Sequence, residues 1–281
     1  MAYDIEQPYG PLIETTVRVA AWNVWERRGP WREREAAIIA TLRDAAPDVA
    51  VLTEAWEDDD EAQAGRLAGA LGLPHTVFRG LPSAGGPGRS GIALLSRWPL
   101  GQVGRQWLAH EEDHRPGRDS GLAVHARVDG PRGPLHVFGA VLGSGLGRSA
   151  QRQEQVRTLG SFVRQAAGHD GPAVVGGDFG APPDSDEIRM LTGRAAAPAP
   201  GVVFYDAWET AGDGTPGHTW SRANPWTGPM LWPDRRTDYV FSAWPRAGGA
   251  GHPVHCALLG ERPVDGVVPS AHYGVLAGLR Y

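Results

Sequence analysis

A chain of 281 residues with a single cysteine, Cys256, can form no intrachain disulfide, so nothing covalent staples its fold. Long hydrophobic runs are missing too: none approaches the roughly 18 residues that a membrane-spanning helix needs, and no membrane partner is expected. The first residues, MAYDIEQPYGP, have neither a basic n-region nor an apolar h-region, and no targeting signal is read there. Without a disulfide framework or a leader, the expected location is cytoplasmic. There is no run of lysines and no basic tail, and the net charge is −5. Tight non-specific binding of nucleic acid needs a basic surface that neutralises phosphates, so this balance disfavours nucleic acid and favours a small or exposed substrate. Internal repeats and linker-like segments are also missing, and residues 1–281 are expected to form one domain.

What the chain has in quantity is glycine (39) and proline (24), but these lie between periodic segments and read as loops rather than disorder. Its 11 tryptophans read first as core and loop packing; Trp22 and Trp56 adjoin polar strand ends and could also wall a pocket. Residues 17–24 read as a strand. Residues 31–48 read as a helix, with Ile38, Ile39 and Leu42 on one face and Pro47 closing it. A buried strand follows at 48–54. Acidic residues Glu57 to Glu61 are expected to open the next helix, where they would complement its positive end. Strands are expected at 75–79, 91–97, 102–108, 121–129 and 135–142, separated by Gly/Pro turns. Then come a helix at 149–168, a strand at 173–178, a short helix within 184–193, and a last third of short strands ending at 273–281. This order fits an α/β domain in which two packed sheets carry outer helices.

Several strands deliver a polar residue at or near an end: Asn23, Glu54, Asp178, Asp238 and His272. A carboxylate after an apolar run, as at Glu54 and Asp178, is costly unless it is paired, hydrogen-bonded or bound to metal. The plainer reading of each is a cap or a salt bridge; the sharper one is a ligand for a hard divalent cation, which takes oxygen donors. Asp238 could orient His272 and stabilise its charged form, leaving the second ring nitrogen for a substrate oxygen, although a satisfied structural histidine is the plainer reading. The string HEEDH at 110–114 matches the zincin pattern, but Pro116 and Gly117 follow at once and no helical apolar pattern flanks it, so zinc binding is not expected.

The stretches WNVWERRGPW, GIALLSRWPL, DFGAPPDSDEIRMLTG, GHTWSRANPW, RRTDYVF and VDGVVPSAHYGVLAGL together resemble the endonuclease/exonuclease/phosphatase superfamily, whose fold is deoxyribonuclease I-like. The resemblance runs over essentially the whole length. It implies a four-layer α/β/β/α sandwich with two packed mixed sheets, and hydrolysis of a phosphodiester or small phosphate ester with Mg2+ or Mn2+. By the same resemblance, Glu54 would bind the metal and Asn23 would touch the metal-bound phosphate or its water. Asp178 would position or deprotonate the attacking water, Asp238 would orient His272, and His272 would contact the scissile phosphate. A small phosphorylated or organic substrate is the expected partner.

The family pattern is broken at four places. Gly180 stands where G-D-F-N has asparagine, Ala271 where S-D-H has aspartate, Val141 where T-H-L has histidine, and Thr53 where a glutamine commonly precedes the metal glutamate. The scaffold strings are intact. Removing one acid–base group typically costs about 10²–10⁴ in rate and one oriented donor about 10²–10³, so weakened or altered activity is expected. Two other readings stand beside it. One is metal-independent acid–base chemistry on an organic substrate, in a pocket enlarged at 141, 180 and 271; the other is a binding protein without turnover.

Overall fold

The computed structural model describes residues 8–83, 88–108, 121–168, 170–243 and 246–281. The first part of the chain runs β1 (Thr16–Asn23), α1 (Trp31–Ala45), β2 (Val49–Glu57), α2 (Gln63–Leu71), β3 (His75–Pro82) and β4 (Arg89–Ser96). The middle is β5 (Leu100–Trp107), β6 (Leu122–Gly130), β7 (Gly133–Val141), α3 (Ser149–Ala167), β8 (Ala173–Asp178) and α4 (Asp186–Leu191). The remainder is β9 (Phe204–Asp206), α5 (Ala207–Ala211), β10 (Asp238–Ala243), β11 (Pro253–Leu259) and β12 (Gly274–Arg280).

These strands make two six-stranded sheets, ordered β11-β12-β1-β2-β4-β3 and β5-β6-β7-β8-β10-β9. Each sheet holds one parallel pair, β1/β2 or β7/β8. Parallel neighbours need a long crossover, and α1 and α3 supply it. Alternation along β1 shows how the layers arise. Val17, Val19 and Ala21 enter the core between the sheets, together with Val124, Val137 and Val174 of the second sheet. Ala20 and Trp22 face the other way and pack with Ile38 and Leu42 of α1. In the second sheet Phe138 and Val175 turn outward to Val156 and Leu159 of α3. The result is the expected α/β/β/α sandwich. Gly139 lets the sheets close on each other, since a Cβ there would lie 2.5 Å from Ile92 Cγ2.

α1 stops at Ala45; Ala46 takes a left-handed φ of 44° just before Pro47, the point where proline disfavours further helix. The acidic run behaves differently from the expectation. Glu57 still belongs to β2, and α2 starts at Gln63 with no acidic residue in its first turn. Asp58 instead folds a local turn, its Oδ1 accepting from the N–H groups of Asp60 (3.0 Å) and Glu61 (2.8 Å), and its carboxylate pairs with Arg27. Local side-chain acceptors competed with the helix and won. HEEDH lies outside the described residues. Among the described residues, no helix is long and apolar enough to cross a membrane.

Arg152 of α3 and Glu187 of α4 form an ion pair inside the protein, both nearly inaccessible. Arg152 Nη1 also donates to the carbonyls of Gly143 (3.0 Å) and Gly145 (2.6 Å), fixing the loop after β7. Breaking such a pair leaves one buried charge uncompensated. Glu187→Ala is therefore expected to lower unfolding free energy by about 3–5 kcal/mol in urea denaturation; a loss below about 1 kcal/mol, the size of an exposed pair, would contradict this.

Candidate active site

Register brings the polar residues together. Asn23 ends β1 opposite Thr53 of β2. Asp178 ends β8, flanked in register by Val141 of β7 on one side and Asp238 of β10 on the other. His272 lies two residues before β12, which pairs with β1. The five residues expected from sequence therefore converge where the two sheets share a rim.

Glu54 is not at a strand end as expected. β2 continues to Glu57, and Glu54 sits in an irregularity between Leu52 and Ala55 with φ 52°. A left-handed conformation at a non-glycine residue costs roughly 1–3 kcal/mol and persists where surrounding structure enforces it. The bulge re-aims the carboxylate into the rim. Its Oε2 is buried without a hydrogen-bond partner. Burial raises the Glu54 pKa to about 7; His272 opposes the shift, Glu26 and Asp178 add to it, and the Asn23 side chain opposes it.

The other groups are hydrogen-bonded to one another. Asn23 Nδ2 donates to Asp178 Oδ2 at 3.0 Å, and the Gly180 N–H donates to Asp178 Oδ1 at 2.9 Å. His272 Nδ1 lies 2.8 Å from Asp238 Oδ2, which also accepts from Thr237 Oγ1 at 3.0 Å. Burial works against a charged His272, but the charges of Asp238 and Asp178 and the hydrogen bond to Asp238 outweigh it, raising its pKa to about 9. Asp178 is raised by burial and by Asp238, with His272 pulling the other way.

A cavity of about 330 Å3 opens on this rim, lined by Glu54 and Asp178 on one side and by Ile92, Leu122 and Val141 among its apolar walls. Neither Trp22 nor Trp56 lines it. Trp22 is fully buried on the α1 side and donates from Nε1 to the His272 carbonyl (2.8 Å), so it places the histidine from behind. Trp56 packs edge-on to Trp31 beneath Arg27. Gly180 and Ala271 do not enlarge the cavity either. Ala271 is buried, and a Cβ on Gly180 would meet Gly143 O at 2.8 Å.

Two groups lay outside the sequence reading. Arg34 of α1 donates to the carbonyls of Val24, Trp25, Glu26, Arg28 and Pro269, which pins the left-handed Trp25 and Glu26 beside Asn23. In sequence it is one arginine among several in WRERE, with no mark of burial. Trp220 stands edge-on to His272 with ring centroids 5.0 Å apart.

The residues fit a divalent cation in one respect: Glu54 lines the cavity and its Oε2 is buried and unpartnered. Ligand atoms of Asp178, Asp238 and His272 also lie within 4.8 Å of one another. There, however, Nδ1 of His272 and Oδ2 of Asp238 are committed to each other, so that trio reads better as a hydrogen-bonded relay.

The model of the Endonuclease/Exonuclease/phosphatase family matches residues 20–255. The chain belongs to this family. Membership places it among metal-dependent hydrolases of phosphoesterase type. Of solved structures, an endonuclease/exonuclease/phosphatase from Beutenbergia cavernae is 26% identical, over 95% of this chain and 72% of that one, with a TM-score of 0.70. TDP2 of D. rerio, solved with a single-strand DNA product, is 18% identical over 95% of this chain and 100% of its own, with a TM-score of 0.73. A family protein from Leptotrichia buccalis is 12% identical over 94% and 100%, with a TM-score of 0.71. The last two share the fold. No curated protein matches the sequence.

Proposed function

We propose that this chain is a metal-dependent phosphoesterase acting on a phosphodiester or small phosphate ester, its turnover lowered by the residues at 141 and 271. The observation that carries the reading is the buried, unpartnered Oε2 of Glu54, a residue that lines the same cavity as Asp178. Glu54 would hold Mg2+ or Mn2+ with Asn23 beside it; a bound divalent ion there supplies charge stabilisation on the phosphoryl oxygens. Asp178, with both oxygens oriented by Asn23 and Gly180, positions water and accepts its proton. Its raised pKa suits that role. Asp238 fixes the His272 tautomer. With its pKa raised to about 9, His272 is a cation at neutral pH and donates from Nε2 to a phosphate oxygen.

The test is hydrolysis of bis(p-nitrophenyl) phosphate with Mg2+ and with Mn2+. Glu54→Ala and Asp178→Ala are each expected to cut turnover by about 10²–10⁴-fold. No metal-dependent turnover, or turnover equal in both variants and wild type, rejects the proposal. The apolar walls at Ile92, Leu122 and Val141 favour one second reading, acid–base chemistry on an organic substrate. Activity that survives chelation but not His272→Ala would select it.

A further inference from the structure

The rim described above contains a buried acceptor that lacks a donor. On its other side stand buried donors that lack acceptors. Arg235 is 7% exposed, its Nε is sealed without a partner, and among the described residues no hydrogen bond or ion pair engages its guanidinium. Its backbone pairs with Trp220 in both directions at 2.9 Å, a bridge that sets the two side chains on one face. The indole Nε1 of Trp220 is also buried and unpartnered. The Arg235 guanidinium lies 4.8 Å from the Trp232 ring, Trp232 packs on Trp220 at 5.7 Å, and Trp220 meets His272 at 5.0 Å. A continuous stack thus runs from Arg235 to the histidine.

Arg235 lines a second cavity, of about 560 Å3, together with Thr215, His218 and Arg236. Beyond the active-site carboxylates Asp178 and Asp238, whose charges reach Arg235, the charged groups of this cavity are mostly paired. Arg236 is paired with Asp206, Arg194 with Glu209, and Asp234 with Arg222. Asp184 also faces the cavity, but it is exposed and its charge is screened by water. Burial depresses the Arg235 pKa, and the charge of Asp178 opposes the shift without a direct ion pair to the guanidinium. Its planar fork matches the oxygens of a phosphate.

We infer that the Arg235 cavity is an anion subsite that takes a second phosphate group of the substrate, one not itself cleaved, beside the His272 end of the active site. The inference rests on the proposed phosphoesterase reading for the word substrate, but the binding of phosphate does not. The substrate class narrows to phosphoesters that carry an additional terminal phosphate. Such a compound meets a fixed cation at Arg235, while a monoanionic diester leaves it unpaired.

The experiment has three arms. Calorimetry with inorganic phosphate and with pyrophosphate, on the full chain in EDTA, is expected to show binding that Arg235→Gln weakens at least tenfold and Glu54→Gln leaves in place. Equal binding by wild type and Arg235→Gln overturns the inference. Should Arg235→Gln fail to fold, the wild-type protein is titrated by NMR: the Arg235 Nε–H resonance must shift with phosphate, and an unmoved resonance overturns the subsite. Finally, a thymidine dinucleotide with a 5′-terminal phosphate is expected to show a KM at least tenfold below that of the same dinucleotide without it, and Arg235→Gln should erase the difference. Equal KM values in wild type overturn the role in substrate choice. Loss of turnover on both dinucleotides, with phosphate binding retained, would instead count against the phosphoesterase reading alone.

Discussion

Introducing Val141→His and Ala271→Asp together is expected to raise Mg2+-dependent phosphodiesterase turnover by about 10²–10⁴-fold, the reverse of losing one acid–base group or donor. Val141 lies beside Asp178 in register and lines the cavity, so an imidazole there points at the reacting phosphate. Ala271 adjoins His272 and is buried, so a carboxylate there adds an acidic group at the His272 end of the site, where the family pattern has one. The two gains share one site and will not simply multiply. Gly180→Asn is a different case. Its φ of 60° suits asparagine, but the new Cβ would lie 2.8 Å from Gly143 O and 3.0 Å from Ser144 Cα. Arg152 holds that carbonyl in place. Adding Gly180→Asn to the pair is therefore expected to lower Tm and return less activity than the pair alone. Steady-state kinetics and thermal melts on the double and triple variants decide both points. A folded double variant with unchanged turnover refutes the assignment of 141 and 271.

The second large effect is on stability in the absence of metal. The native Glu54 pKa is about 7 against an ordinary 4.5, so the native state holds a proton there that the unfolded state gives up first. Stability must then fall as pH rises from about 4.5 through 7, by about 3 kcal/mol in full, at 1.36 kcal/mol per unit. His272 runs in the same direction at higher pH. Its raised pKa contributes stability that is complete below 6.5 and lost as pH climbs through about 9. Asp178, also raised, adds to the lower window. These groups interact, and the total is not the sum of separate shifts. Metal-free protein is thus expected to melt highest in mild acid. Glu54→Gln should flatten the profile between pH 4.5 and 7 and raise Tm at neutral pH while abolishing metal-dependent turnover. Millimolar Mg2+ should raise wild-type Tm at pH 7.5 and leave Glu54→Gln unmoved. A wild-type profile that rises between pH 5 and 7 would show that Glu54 is already compensated.

Much of this architecture was legible in the chain because burial writes itself as periodicity. The alternation in VRVAAW and the apolar face of α1 each state which side meets which layer. The convergence of Asn23, Asp178, Asp238 and His272 followed from strand ends and from family strings. What was illegible depended on competition among local contacts. Glu57 to Glu61 had the composition of a helix start, but Asp58 found nearer N–H groups. Nothing in VAVLTEAWE announces the bulge at Glu54, because a left-handed glutamate is imposed by neighbours, not by its own preference. Gly180 read as a missing asparagine, whereas the loop from Gly143 now occupies the space its side chain would need. Arg235 and Trp220 were invisible as a pair, since only their backbone bridge, 15 residues apart in sequence, puts them on one face.

The last strand of the chain sits inside the first sheet, between β11 and β1. Thr16 pairs with Arg280, so the sheet that carries Asn23 and Glu54 closes only through contacts of very long sequence separation. Loops that long are slow to close, and half-finished sheets expose open edges. Until that pairing forms, Asn23 and Glu54 lie in an unclosed sheet and the candidate site is unassembled.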